Sequence, residues 1–212
     1  MHLRRQEANI RWPITRKGTA YVVRTVCDPR KSIPLLLVMR EMLKAVRTNK
    51  ELKKILNRKE VLLNQRPVFD EKAVVSIFDV ITIVPAKENY RLNINNKGKF
   101  IVEKIAEKDS GEKITKVTSK KLLNNKKIQI NCFDGINIVT SEKMNTNDSI
   151  VIDLKTRKIL KVLPLKEGSK VEIIKGKHIG EIGKVEKVGE MIEVKFDGGK
   201  TTIPKNTVIV ID

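Results

Sequence analysis

The sequence predicts an α+β fold that is β-dominated. Three observations carry this. Apolar residues alternate with polar ones over many short runs, as at Ile128, Ile130 and Cys132, and again at Ile192, Val194 and Phe196. Turn signals such as Asp134-Gly135 and Asp197-Gly198-Gly199 separate those runs. Helical spacing is confined to one region near the front of the chain.

Residues 1–33 read as an extended basic arm. Arg4, Arg5, Arg11, Arg16, Lys17 and Arg24 punctuate it, and Trp12-Pro13 and Gly18 block a long helix. Trp12 either stacks on a base or anchors the arm on the following domain. The arm shows no core of its own, so it is expected to order only on a partner.

Residues 34–89 read as a helix hairpin followed by strands. The spacing predicts a helix over 34–46, with Pro34 in its first turn. Leu35, Met39, Met42, Leu43 and Val46 form one stripe, and Arg40, Lys44 and Arg47 another. Thr48 and Glu51 form a capping box that starts a second helix. Leu52, Ile55 and Leu56 face inward there, and Lys50, Lys53, Lys54 and Arg58 face outward. Val61 to Leu63 runs into a turn at Asn64-Gln65, then Arg66-Pro67-Val68. A second strand region covers Ile77 to Val84 and stops at Pro85.

Residues 90–164 read as a central β domain. Strands are expected at Phe100 to Ile105, around the Asp134-Gly135 turn, and at Ile150, Ile152 and Leu154, with a loop at 108–113. Residues 165–212 read as a small barrel. Five short strands and glycines at 176, 180 and 183 fall within this segment. Lys175, Lys177 and His178 are placed at a loop tip.

Charge narrows the function. Lys and Arg total 44 against 25 Asp and Glu, a net charge of +19 over 212 residues. Residues 1–60 hold sixteen basic and five acidic residues, whereas residues 165–212 hold nine and eight. A solubilising surface mixes signs, while concentration of one sign marks a site for an anionic polymer. No run is long and apolar enough for a membrane span, and Met1-His2-Leu3-Arg4-Arg5 shows no secretory leader. Cys27 and Cys132 form no CxxC and are expected to be buried or half-buried free thiols.

Signatures of catalysis fail. His2 and His178 have no Cys or His neighbour at metal-ligand spacing. The stretch from Gly176 to Lys184 has His178 and Val185 where a phosphate loop needs Gly and Ser or Thr. A dinucleotide fingerprint fails at His178 too. No cofactor, metal or small-molecule substrate is expected.

Three stretches resemble known patterns. Gly168 to Val185 looks like a KOW motif, which occurs in SH3-like barrels of ribosomal proteins and transcription-elongation factors. The hairpin with Val61 to Val68 and Phe78 to Ile83 resembles the RNA-binding module first known in ribosomal protein S-four. That module's turns usually carry Gly where this chain has Lys59 and Gln65. His2-Leu3-Arg4-Arg5 with Arg11-Trp12-Pro13-Ile14-Thr15-Arg16-Lys17-Gly18 is similar to the N-terminal signature of the ribosomal protein S-four-e family, with Asn9 where the family usually has Pro. The order of arm, helix-hairpin RNA-binding module, central β domain and C-terminal SH3-like KOW barrel is similar to that family as well.

The resemblance implies a structural, non-catalytic constituent of the cytoplasmic small ribosomal subunit. Its expected partners are small-subunit rRNA and neighbouring ribosomal proteins. The absence of a C-terminal extension points to an archaeal-type version. RNA contacts are expected at Arg4, Arg5, Arg11, Arg16, Lys17, Arg40, Lys44, Arg47, Lys50, Lys53, Lys54, Arg58 and Arg66, with a few more at Lys175, Lys177 and His178. Two rival readings are a KOW-containing transcription or translation factor that binds RNA transiently, and an RNA-modifying enzyme built on the same helix-hairpin module.

Overall fold

The structure is a computed structural model that describes residues 3–123, 127–196 and 198–211. His2 and Asp197 lie outside the described residues. The chain divides into two compact units, Met1–Gly111 and Glu112–Asp212. Among the described residues strands dominate both, and helices occur only in the first, apart from short single turns.

The first unit contains β1 (Leu3–Arg4), β2 (Tyr21–Val22), β3 (Ser32–Pro34), α1 (Leu35–Leu37), α2 (Asn49–Asn57), β4 (Val61–Leu63), β5 (Arg66–Pro67), β6 (Val74–Ser76), β7 (Val80–Ile83), β8 (Glu88–Ile94) and β9 (Phe100–Ile105). Its main sheet runs β5-β4-β7-β8-β9, all antiparallel. Strand β8 crosses residue 90, where the sequence pattern placed a boundary, because it pairs on both sides within this one sheet. Two smaller pairings, β1 with β2 and β3 with β6, tie in the arm and the start of α1.

The arm is folded onto this unit rather than waiting for a partner. Trp12 is 2% exposed. Its indole N–H donates to the carbonyls of Ser32 at 3.0 Å and Pro29 at 3.2 Å. A buried ring cannot stack on a base, so Trp12 is the anchor. The Phe100 amide also donates to the Arg11 carbonyl, at 2.9 Å, which joins the arm to the main sheet.

The first helix is shorter than its periodicity predicts. It begins as α1, widens into a π-helical turn over Val38–Met42, and ends there. Leu35 to Met39 are all buried, so this segment is apolar all round rather than striped. Lys44 then takes a left-handed φ of 54°, which breaks the continuation toward Val46. The second helix matches its sequence signal. The Thr48 hydroxyl accepts from the Glu51 amide, and the Glu51 carboxylate accepts from the Thr48 amide. A further bond from the Arg47 amide holds the exposed Glu51 carboxyl below the usual range, with Thr48 adding to it. Leu52 and Leu56 face the core.

The β4–β5 turn is tight without glycine. Leu63 and Arg66 are partners across it, and both Asn64 (φ 51°) and Gln65 (φ 63°) are left-handed, as is Lys59 (φ 58°). Left-handed φ at both central residues gives the twist that a two-residue hairpin needs. Asn64 offsets the steric cost through its side chain, which donates to the Asp79 carboxylate at 2.7 Å and accepts from the Val80 amide at 3.0 Å. The strand predicted over Ile77 to Val84 is interrupted at Phe78, whose φ is 66°, so β7 begins only at Val80.

The second unit contains β10 (Glu112–Leu122), β11 (Ile128–Cys132), β12 (Asn137–Thr140), β13 (Ser149–Asp153), β14 (Ile159–Leu163), β15 (Lys170–Ile173), β16 (Ile182–Val188), β17 (Met191–Phe196), β18 (Gly199–Pro204) and β19 (Val208–Val210). One sheet runs β12-β11-β10-β13-β14 and the other β18-β17-β16-β15-β19. The loop predicted at 108–113 is a single 3-10 turn over Lys108–Gly111, and β10 starts directly after it. Val117, Ile130, Ile150 and Ile152 fill one core. Val171, Ile173, Val185, Ile192, Val194 and Val208 fill the other.

Both cysteines are free thiols, but Cys27 is exposed rather than buried. Burial among apolar groups pushes the Cys132 thiol up to about 12, with Asp134 adding to the shift.

Two lysines of β10 are buried. Lys113 pairs with Asp134, both side chains being almost fully enclosed. Lys116 donates to the carbonyls of Lys205 and, at 2.8 Å, Val208, which clamps the turn before β19 to β10. Desolvation lowers the Lys116 pKa to about 8, with Lys175 contributing. The unfolded lysine binds its proton as pH falls through about 10.5, the folded one only near 8. Between those values the unfolded chain holds more protons, so stability rises with pH across the window and the gain is absent below it. The full gain is about 3 kcal/mol. Urea midpoints of the wild type and Lys116→Met, measured from about pH 8 to 10, should diverge, with the variant flatter.

Candidate nucleic-acid interface

The basic residues singled out in the sequence fall into two groups. Some are exposed and point away from the fold. Others are engaged by it.

Arg5 and Arg11 belong to the second group. The Arg5 guanidinium donates to the carbonyls of Thr15 and Thr19, each at 2.7 Å, and to the Thr19 hydroxyl at 2.9 Å. It staples the arm into a closed loop. Arg11 donates to the Arg30 carbonyl at 2.5 Å, and partial burial lowers its pKa, with Asp28 opposing. Both shape the arm from within. Arg4, Arg16 and Lys17 are exposed on its outside.

The helix hairpin keeps most of its cations in solvent. Lys44, Arg47, Lys50, Lys53, Lys54 and Arg58 are all exposed. The cap explains the arrangement, since it fixes where α2 starts and thereby which side Leu52 and Leu56 bury. Lys53 lies 3.3 Å from Glu71, and Arg58 lies 3.9 Å from Glu60. Arg40 is held by its neighbour Glu41 at 2.9 Å. Surface pairs of this kind are worth under about 1 kcal/mol and exchange readily for a phosphate. Arg66 is exposed at the β4–β5 hairpin.

In the second unit Lys177 is exposed, while Lys175 and His178 are partly engaged. Lys175 sits 5.5 Å from the Phe133 ring centroid. His178 Nδ1 is 3.1 Å from Glu181, and its ring stacks on Phe196 at 5.5 Å with an 8° interplanar angle.

Lys99 was missed by the sequence reading. It is exposed and lines a groove of 940 Å³ with Arg5, Gln6, Asn9, Ile10 and Arg16. No local pattern marks it, because the β8–β9 turn meets the arm through a long-range contact, the Phe100–Arg11 hydrogen bond.

Among the described residues no group of three or more His, Cys, Asp or Glu is placed to hold a metal ion. Among the same described residues no helix is long and apolar enough to cross a membrane. The class these features define is a β-dominated, multi-sheet binding protein with exposed cationic faces.

Comparison with known proteins gives the family. A model described as Ribosomal family S4e matches residues 86–159. The small ribosomal subunit protein eS4 of Methanocella arvoryzae is 36% identical over 190 residues, covering 88% of this chain and 80% of that protein. Its counterpart in Archaeoglobus fulgidus is 34% identical over 187 residues, covering 87% and 79%. The crystal structure of the 30S ribosomal protein S4e from Thermoplasma acidophilum matches with a TM-score of 0.73 at 27% identity, covering 85% of this chain and 95% of that one. The chain belongs to Ribosomal family S4e.

Proposed function

We infer that this chain is a structural constituent of the small ribosomal subunit, where it binds folded rRNA, and that it is not an enzyme. Family membership supports the first part. The observation that carries the RNA reading is the exposed row Lys44, Arg47, Lys50, Lys53, Lys54 and Arg58 on the helix hairpin, set against the net charge of +19. Each cation that meets a phosphate releases a counterion, so binding is driven by salt-sensitive neutralisation. Folded rRNA is then recognised through its shape more than its base sequence.

The proposed layout keeps the order of the sequence reading. A basic arm covers 1–33, an RNA-binding helix-hairpin module starts at 34, a central β region precedes residue 165, and a KOW-type SH3-like barrel covers 165–212. The module's sheet extends through β9. Arg4, Arg16, Lys17 and Arg66 extend the RNA-contacting set, Arg40 joins it by leaving Glu41, and Arg5 and Arg11 serve by holding the arm in shape. Lys175, Lys177 and His178 are lesser contacts. The proposed site of action is the cytoplasm, in contact with neighbouring ribosomal proteins.

The test is a salt series. Lys44, Arg47 and Lys54 replaced together by Gln should weaken binding to small-subunit rRNA and lower the log–log salt slope by roughly two to three. Unchanged affinity with an unchanged slope removes the hairpin from the interface.

A further inference from the structure

A strand at the end of a sheet is a template for another strand unless something blunts its edge. The three five-stranded sheets have six such ends. β5 is two residues long and holds Pro67. β9 carries Glu103 and Lys104, and β18 carries Lys200 and Pro204. β14 carries Lys161, and a register shift against β13 leaves Leu160 as a bulge. β19 is buried along its whole length. The sixth, β12, is four residues long and has none of these devices. It lies in the segment 135–141, which has no charge and no proline in a chain that is 33% charged.

The free side of β12 is open. The Cys132 amide donates to the Ile136 carbonyl at 2.9 Å, and hydrogen-bonded pairs alternate along an antiparallel ladder. The next such pairs are Ile130 with Ile138 and Ile128 with Thr140. Asn137 and Val139 therefore aim their amides and carbonyls away from β11. No described residue makes a hydrogen bond to those groups. Both residues are exposed, Val139 at 55%. An uncharged, β-branched strand left open in this way invites uncontrolled pairing. Its retention implies a partner that covers it in the working assembly.

We propose that a strand of a neighbouring protein extends this sheet at β12, an uncharged β-branched segment with an acidic residue at the end beside Thr140. This specifies the protein contacts of the proposed function and rests on that reading. Backbone donors and acceptors at two-residue spacing match a peptide strand. RNA would need cations and stacking surfaces. Asn137, Val139, Gln129 and Asn131 on the outer face are uncharged, and Lys121 on that face stands two strands inward. β10, β11 and β12 hold no aromatic residue. A second copy would set +19 against +19. The exposed Lys127 and Lys143 flank the Thr140 end against Glu142 alone, which favours an acidic residue there.

The test uses the full chain and a short peptide of alternating Val and Thr with Glu at both ends. The peptide should shift the amide resonances of Asn137 and Val139 and slow their exchange with solvent. The same peptide with Lys at both ends should bind about two- to fivefold more weakly. Val139→Pro deletes an outward amide and no native hydrogen bond, so the chain should fold and lose the peptide response. Asn137→Pro is a second variant of the same kind. Ile138→Pro removes a ladder bond to Ile130 and should unfold the hairpin. In reconstituted small subunits both amides should be protected, while rRNA alone should leave them exchanging. Amides unmoved by the acidic peptide, or unprotected in the subunits, overturn the proposal and leave the rRNA reading standing. Protection by rRNA alone makes the edge an RNA site, and protection that grows with the concentration of the chain alone makes it a self-pairing edge. Either result also overturns the proposal. A chain that does not enter the subunits removes the wider reading, and this one with it.

Discussion

Gly183→Ala should destabilise the second unit by about 3 kcal/mol or more. The glycine is not there for an unusual backbone angle, because Gly183 lies inside β16 with ordinary strand geometry. It is there for space. A Cβ at this position would stand 2.5 Å from Val194 Cγ1, 2.8 Å from the Lys195 carbonyl oxygen and 2.8 Å from Phe196 Cδ1. Val194 is fully buried, so its methyl has nowhere to go. The Lys195 carbonyl belongs to a strand locked on both sides, by Lys184 in β16 and by Lys200 in β18. Relief therefore requires moving backbone, which breaks ladder bonds, rather than rotating a flexible side chain. Gly198→Ala is the control. Nothing lies within 4 Å of a Cβ there, and the change should stay within about 1 kcal/mol in either direction. Urea denaturation of the two variants decides the matter, and equal midpoints would refute the packing account.

Local signals in the sequence were legible where the physics is local. The Thr48–Glu51 box fixed the start of α2 because both bonds form within one turn. The alternation at Ile128, Ile130 and Cys132, the Asp134-Gly135 turn and the strand over Phe100 to Ile105 all lie where period-two spacing places them. The helix over 34–46 failed because its stripe ignored Leu36, Leu37 and Val38, whose burial shows a segment packed on every side. The interface was half legible. Charge density pointed to the arm and hairpin, but composition cannot distinguish a cation in solvent from one like Arg5, whose partners are the carbonyls of Thr15 and Thr19.

Asp134→Ala extends the same point to stability. In the sequence Asp134 is a turn residue, and it does fill that role, accepting from the Ile136 amide at 3.2 Å. Its larger task is electrostatic. Lys113, expected in a loop, is instead the second residue of β10, with its side chain 2% exposed, and its ammonium pairs with the Asp134 carboxylate. Removing one member of a buried pair costs about 3–5 kcal/mol, because the remaining charge keeps its desolvation penalty and loses its counterion. The loss of the turn bond is small beside that. Asp134→Ala should therefore lower the urea midpoint far more than Asp153→Ala, whose carboxylate serves an exposed turn through Lys155 and Thr156. A double change, Lys113→Met with Asp134→Leu, removes both charges and should recover most of the loss. If the double variant is as unstable as Asp134→Ala alone, the cost lies in turn geometry and the buried pair is not what holds β10 against the β11–β12 hairpin.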